Sequence, residues 1–381
     1  MVDIKTIFTD SGNGWSAETK IRGPDDEEFA KVTTRWAAYK PPTYTAAISP
    51  ATEEDVVKAV KLATKHGIHF LATAGRHGYS TVHGKLQNGL AMDLRQLNSI
   101  KLDTRAETVT VGGGVTTGEV LDPLFEAGFD LPTGSCSATG IVGATLGGGV
   151  GRYSGVYGLL IDSLLSLRVV TASGEVVEAS ATSEPELFWG MRGAGANLGV
   201  VTSATYRIYR IADDPRSRGN VTNIDFVIPA PMAPAYFEML EKHFGSDRMP
   251  RNLAPVSIVM FDPERAAPQI LGTWAYLGPE DEAREVADSK IFAYSICLFS
   301  WKDPNSSAPR AVAEIGPQLR ANMCKAGGYH DVSVYVSYSQ GDETLEQIYG
   351  RRKLPRLAAL KKAWDPSNVF DYSFTLPTEY P

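Results

Sequence analysis

Two glycine-bearing stretches hold the residue types and spacings from which chemistry could be built. The first is LATAGRHGYSTVHG, residues 71–84. An apolar run, IHFLATA, reads as a buried strand that opens into Gly75, Arg76, His77 and Gly78. Glycine has no Cβ to block an approaching anion, so backbone N–H groups in such a loop can converge on one. A pyrophosphate is the natural guest, and a histidine in the loop would stand beside the rest of the bound nucleotide. The same residues also permit an ordinary strand-to-loop turn carrying a surface histidine. The second stretch is GSCSATGIVGATLGGGVGRYSGVYGL, residues 134–159. Its apolar members Ile141, Val142, Leu146, Val150, Val156 and Leu159, with Leu160 just beyond, do not suit a solvated linker. Glycines packed among apolar residues suggest backbone pressed against a flat ligand or another strand. Gly147, Gly148 and Gly149 follow no strand-to-helix crossover with an acid after it, which disfavours a Rossmann dinucleotide site.

The elements that must hold these stretches are partly legible. Thr52 can cap a helix with Asp55 three residues on, and EEDVVKAVKLATKH places Val56, Val57, Val60 and Ala63 at helical spacing. Gly67 is its natural stop. ETVTVGGG reads as a strand and TTGEVLDPLFEAG as a helix ending at Gly128. SLRVVTA and EVVEAS form a hairpin around Ser173-Gly174, and VVTSATYRIYRI alternates as a strand that closes the unit near residue 210. The polar run ADDPRSRGN, residues 212–220, is the linker candidate. Beyond it VTNIDFVIP, PVSIVMF and ILGTWAYLG read as strands, and APAYFEMLEKHFG and PEDEAREVADS as helices. That is an α+β unit with an antiparallel sheet. RLAALKKAWDPSNVF is a terminal helix broken at Pro366.

Composition narrows the function classes. The chain has 381 residues, enough for two domains, with 44 acids against 37 bases and a formal charge of -7. Nucleic acid is disfavoured as a partner, because phosphate backbones require a surplus of Lys and Arg. No apolar run is long enough to span a bilayer, and MVDIKTIFTDSGNGWS lacks a signal-peptide core, so no membrane partner and a cytoplasmic location are expected. Cys136, Cys297 and Cys324 form no CxxC pair, so no metal site is expected.

Seven segments in order carry a family resemblance: TAGRHGYS, MDLRQLNSI, TVTVGGG, GSCSATGIVGATLGGGVG, YGLLIDSLLSLRVVTASGEV, ELFWGMRGAGANLGVVTSATY and RLAALKKAWDPSNVF. Together they resemble FAD-linked oxidases of the vanillyl-alcohol oxidase and p-cresol methylhydroxylase fold, in the berberine-bridge-enzyme-like branch and especially its fungal members. The resemblance runs from about Trp36 to Arg210 and resumes from about Tyr335 to Phe370. It implies an α+β fold: a two-part FAD-binding domain over 1–210, a substrate domain with an antiparallel sheet over 211–340, and a C-terminal segment, 341–381, returning to the first domain. The second unit is shorter than the family implies, which would open the substrate face.

Residue by residue, the resemblance implies a phosphate loop of Thr73, Ala74, Gly75, Arg76, His77, Gly78 and Ser80. His77 falls where the family attaches the flavin 8α carbon, and Arg76 would contact a phosphate or face outwards. Ser135 and Cys136 open the glycine segment. Cys136 stands in the register of a second covalent bond, to flavin C6, or simply lines the pocket. Gly140, Gly143, Ala144, Leu146, Gly147 and Gly149 would lie along the cofactor, as would Gly199, Val200 and Val201, with Tyr153 or Tyr157 flanking it. Tyr335-Val336-Ser337-Tyr338 stands where the family has Tyr-x-Asn-Tyr on the substrate-domain sheet. Residues three apart on a strand face opposite sides, so only one of the two tyrosines should enter the pocket, and Tyr338 is the candidate base ahead of Tyr335. The implied reaction passes hydride from an alcohol, phenol or activated C–H of a small secondary metabolite to flavin N5, with dioxygen as acceptor. The rivals to this reading are a redox-neutral cyclase on the same scaffold that uses FAD structurally, and a noncatalytic flavin-binding protein, suggested by the short second unit.

Overall fold

The computed structural model describes residues 3–213, 220–244, 250–262, 267–287, 294–297, 307–326 and 330–380. The chain divides into two compact units. The first comprises Met1–Gly151, Gly158–Tyr209 and Val334–Pro381; the second comprises Arg152–Tyr157 and Arg210–Ser333. The return to the first unit therefore begins at Val334 rather than 341, and the short segment 152–157, inside the glycine-dense stretch, is grouped with the second unit. Most of the linker candidate, residues 214–219, lies outside the described residues.

The first unit is built on a four-stranded and a five-stranded sheet. In one, β1 (Lys20–Arg22), β2 (Tyr44–Ser49), β3 (Phe70–Thr73) and β4 (Gly89–Asp93) stand in the order β1-β2-β4-β3, with β2 and β3 both parallel to β4. The helix Glu53–His66 links β2 to β3. Thr52 caps it by accepting from the Asp55 amide, and Gly67 ends it in the left-handed region. Val56, Ala59, Val60 and Ala63 lie fully buried against Ile48, Phe70 and Leu90. Asp55 does not complete the capping box. Its carboxylate instead accepts from the hydroxyls of Ser16 and Thr19, which ties the N-terminal segment to this layer.

The second sheet is antiparallel throughout. It contains β5 (Ile100–Asp103), β6 (Thr108–Gly112), β8 (Leu164–Val170), β9 (Val176–Ser180) and β10 (Val200–Arg207), in the order β5-β6-β10-β8-β9. Two-residue strands β7 (Phe129–Asp130) and β11 (Tyr209–Arg210) lie outside it. Helices Thr117–Glu126, Ile141–Leu146 and Pro185–Ala194 supply Val120, Leu124, Ile141, Leu187 and Met191 to a core with Val109, Leu167 and Tyr206. Ile141–Leu146 is a helix inside the glycine-dense stretch, which the sequence did not announce. The C-terminal helix Leu354–Trp364 is anchored by Lys361. This lysine is fully buried and donates to Asp365 Oδ2, Asn197 O and Phe370 O.

The second unit is built on a four-stranded sheet. Its strands are β12 (Val221–Pro229), β13 (Leu253–Asp262), β14 (Ala267–Leu277) and β15 (Tyr294–Cys297), ordered β12-β14-β13-β15; β15 runs parallel to β13 and the other pairs are antiparallel. Helix Ala233–Phe244 presents Tyr236 and Leu240 to Leu253, Ile270 and Trp274, which form the unit's core. The Tyr236 hydroxyl is satisfied by Ser257 at 2.6 Å. Among the described residues no helix is long and apolar enough to cross a membrane.

Candidate active site

β3 delivers the chain into the loop at Ala74. A Cβ on Gly75 would collide with the backbone of Ala138 and Gly140, and one on Gly140 would crowd Ala74 and Gly75. Each glycine is thus required by the other, and their contact brings the two glycine-bearing stretches together. The result is that Cys136 Sγ lies 3.8 Å from His77 Nε2 and 4.0 Å from Nδ1. Cys136 is exposed, and the His77 ring stacks on Trp36 with centroids 5.5 Å apart. Burial, then the charge of Arg35, lowers the pKa of His77, so the imidazole is neutral near pH 7.

The Arg76 guanidinium turns inward to protein groups rather than facing outwards. Arg76 holds a left-handed φ of 55°, and its guanidinium turns back to Asp93 Oδ1 at 2.9 Å, the Ala74 carbonyl and the Thr34 carbonyl. Asp93 is buried, which raises its pKa against the pull of Arg76; the ion pair is what the carboxylate's position demands.

The tyrosine motif also departs from expectation. Residues 335–338 form no strand and belong to the first unit. Val336–Tyr338 is a 3-10 turn with Tyr335 at its N-cap, closed by Tyr338 N donating to Tyr335 O at 2.8 Å. Side chains three apart eclipse in a 3-10 turn, so the two rings meet edge to face at 4.9 Å instead of pointing apart. Tyr335 Oη accepts from the Gly149 amide at 2.8 Å. Tyr338 is 40% exposed, and its hydroxyl has no partner among the described residues. Burial, then the neighbouring Tyr335, pushes the Tyr338 phenol above its usual range. Tyr338 stacks on Tyr79 at 6.3 Å, and Tyr79 meets Trp36 at 6.4 Å. An aromatic series therefore runs from His77 through Trp36, Tyr79 and Tyr338 to Tyr335.

The remaining expected residues divide by role. Gly147 and Gly148 leave room for Ser337 and the Tyr335 ring, and Gly149 for Leu160, so protein already fills the space a Cβ would take at each. The Gly199 Cβ position is filled by Val169, and Val200 and Val201 are core side chains paired with β8. Leu146 packs at Gly195. Gly143 is exposed with open space at its Cβ position, and Ala144 beside it is half-buried. Tyr153 and Tyr157 stack on one another at 6.0 Å and are grouped with the second unit. Reasoning from sequence missed Arg35, Trp36, Tyr79 and His83. Tyr79 and His83 stood inside the first glycine-bearing stretch without a role assigned to them, while Arg35 and Trp36 belong to no motif.

A family model described as FAD binding domain matches residues 44–180, and one described as Berberine and berberine like matches 334–374. FAD-linked oxidoreductase fogF of Aspergillus ruber is 39% identical over the whole of this chain and 95% of its own length. FAD-linked oxidoreductase OXR1 of Pyricularia oryzae is 36% identical over 99% of this chain and 93% of its own. This chain belongs to the berberine-bridge-enzyme-like FAD-linked oxidoreductases. The alignment with fogF runs over 479 positions for the 381 residues here, so parts of the relative have no counterpart. Among solved structures, Physcomitrella patens BBE-like 1 superposes with a TM-score of 0.82 at 20% identity, over 96% of this chain and 98% of its own. The 6-hydroxy-D-nicotine oxidase of Arthrobacter nicotinovorans gives 0.79 at 22%, over 96% and 99%. The fold is therefore the α+β vanillyl-alcohol oxidase type, and the chain is an FAD-dependent oxidoreductase.

The loop of this berberine-bridge-enzyme-like chain fits the cofactor. Among the described residues the amides of His77, Gly78, Tyr79 and Ser80 have no hydrogen-bond acceptor. Ser80 Oγ and Arg35 Nη1 are buried without partners. Four consecutive free amides suit a diphosphate, which brings several acceptor oxygens to one place. Among the described residues no group of His, Cys, Asp and Glu could hold a metal.

Proposed function

We propose that this oxidoreductase is an oxidase whose FAD is covalently attached through His77, with a second bond through Cys136. The observation that carries the reading is the 3.8 Å approach of Cys136 to His77 beside the loop of free amides. FAD held here supplies a two-electron acceptor that takes hydride at N5 and is reoxidised by dioxygen. The protein holds His77 neutral and therefore nucleophilic, and Trp36 fixes its ring plane. Cys136 is solvent-exposed, as a reactive thiol must be. Tyr338, with a free and accessible hydroxyl, takes a proton from the substrate as hydride leaves. Its raised pKa means that it needs a hydrogen bond or developing charge from the substrate to act as base. Tyr335, tied to the Gly149 amide, positions it. The likeness to fungal FAD-linked oxidoreductases supports a small secondary metabolite as substrate, and the exposed Trp36 and Tyr338 rings favour an aromatic one.

Acid precipitation tests the attachment. Flavin should remain with the pellet of the unmutated protein and pass to the supernatant after His77→Ala with Cys136→Ala. Free FAD from the unmutated protein would refute both bonds. Consumption of oxygen with formation of hydrogen peroxide on substrate addition distinguishes the oxidase from a redox-neutral cyclase.

A further inference from the structure

We infer that Arg35 is an electrostatic positioning residue for the cofactor, supplying uncompensated positive charge behind the loop that receives the FAD diphosphate. The inference rests on the chain's holding FAD and adds a residue that lies before the matched segment 44–180.

Arg35 lies on the chain leading to β2 and reaches across to the loop, where its Nη2 donates to the Gly78 carbonyl at 2.7 Å. Nη1 is buried without a hydrogen-bond partner, and among the described residues no carboxylate forms an ion pair with Arg35. The phenol of Tyr44 beside it is uncharged at neutral pH and does not balance it. A guanidinium partly withdrawn from water without a counter-charge is costly, so such groups are commonly found paired or facing an anion.

The neighbouring charges do not remove the imbalance. Arg76 is cancelled by Asp93 at 2.9 Å. His77 and His83 are both held neutral, by burial first and by the charge of Arg35 second. Arg35 thus keeps a charge that none of these groups offsets; the Glu343 carboxylate, which acts on the Tyr79 ring, is engaged by the amides of Gln340 and Gly341. Arg35 is joined through the Gly78 carbonyl to the peptide run whose amides are free. An anion on those amides gains from a charge that solvent screens only in part, and the bond to Gly78 holds the loop in shape. A diphosphate fits this arrangement; a neutral flavin does not use it.

Reversible binding to the His77→Ala, Cys136→Ala protein, prepared free of flavin, provides the test. Its affinities for FAD and ADP are compared with those for riboflavin and adenosine by fluorescence quenching and calorimetry. Arg35→Gln keeps an N–H donor for the Gly78 carbonyl and removes the charge. It should weaken FAD and ADP by roughly ten- to a hundredfold and leave riboflavin and adenosine within about twofold. Arg35→Lys, which keeps the charge, should recover part of the loss. Equal losses for the phosphorylated and neutral ligands, or no loss for either, overturn the inference. If Arg35→Gln does not fold, Arg35→Lys decides alone: losing the ADP preference over adenosine in full overturns the inference, and keeping part of it supports it. A parent protein that takes up no FAD overturns the cofactor assignment as well, and shows this before any variant is compared.

Discussion

Mild acid should destabilise this protein through His83. Its Nδ1 lies 2.7 Å from the Tyr372 carbonyl oxygen, so in the neutral ring that nitrogen carries the proton and donates. Burial, then the charge of Arg35, depresses the pKa from 6.5 to about 4, against the opposing effect of the bond to Tyr372. In the unfolded chain the ring returns to about 6.5. Between those values the unfolded chain binds a proton that the folded chain refuses. Unfolding free energy therefore rises with pH in this window and falls as the solution is acidified through it. At 1.36 kcal/mol per pH unit the whole span amounts to about 3 kcal/mol, and the stretch from pH 6.5 to 5 to about 2 kcal/mol. Carboxylates contribute mainly below that stretch, because their unfolded values lie near 4. Urea unfolding followed by tryptophan fluorescence at pH 7, 6 and 5 reads the effect as a shift in midpoint at constant slope. His83→Gln keeps a donor for Tyr372 but cannot titrate, so its midpoint should move less over the same range by about 2 kcal/mol. A dependence of the same sign should remain from His77, whose pKa is also lowered. Identical pH dependence in the variant and the unmutated protein would refute the reasoning.

Other perturbations probe the rest of the site. Tyr338→Phe should slow flavin reduction in anaerobic stopped-flow by roughly a hundred- to ten-thousand-fold, with reoxidation by oxygen near normal. Tyr335→Phe leaves the Gly149 amide without its acceptor and should cost about 1 kcal/mol in stability while slowing reduction much less; the reverse pattern would make Tyr335 the base. Gly75→Ala drives a methyl into the backbone of Ala138 and Gly140. It should part His77 from Cys136 and lower the flavin-to-protein absorbance ratio of the purified protein; full flavin content would show that the two loops are not locked together. Lys361→Met strands a buried Asp365 and two carbonyls, and should cost about 3 kcal/mol, read as a lower thermal midpoint.

Local rules made much of this fold legible. The Thr52 cap, the Gly67 stop and the apolar spacing of the helix between them depend on residues within a few turns of one another, and the structure has all three. The Ser173-Gly174 hairpin, with Gly174 in the left-handed region, is equally local. The loop at 75–80 could be read because glycine before a histidine after a buried strand restricts what the backbone can do. Whether His77 had a partner could not be read locally, since Cys136 lies 59 residues away and its approach follows from the contact of Gly75 with Gly140. Ring orientation in the tyrosine motif was misread because alternation assumes a strand. Among the described residues no strand pairs with residues 335–338, and the turn they form packs on Gly147 and Gly148, far away in sequence, which leave room for it, while the Gly149 amide donates to Tyr335. The direction of Arg76 was decided by the buried carboxylate of Asp93 on the neighbouring strand, and the reach of Arg35 by a carbonyl 43 residues on. Residue types and short-range spacing thus determined the elements and the kind of chemistry. Which groups face one another was decided by packing, because a charge or a ring takes its partner from across the fold, and no period within the chain encodes that distance.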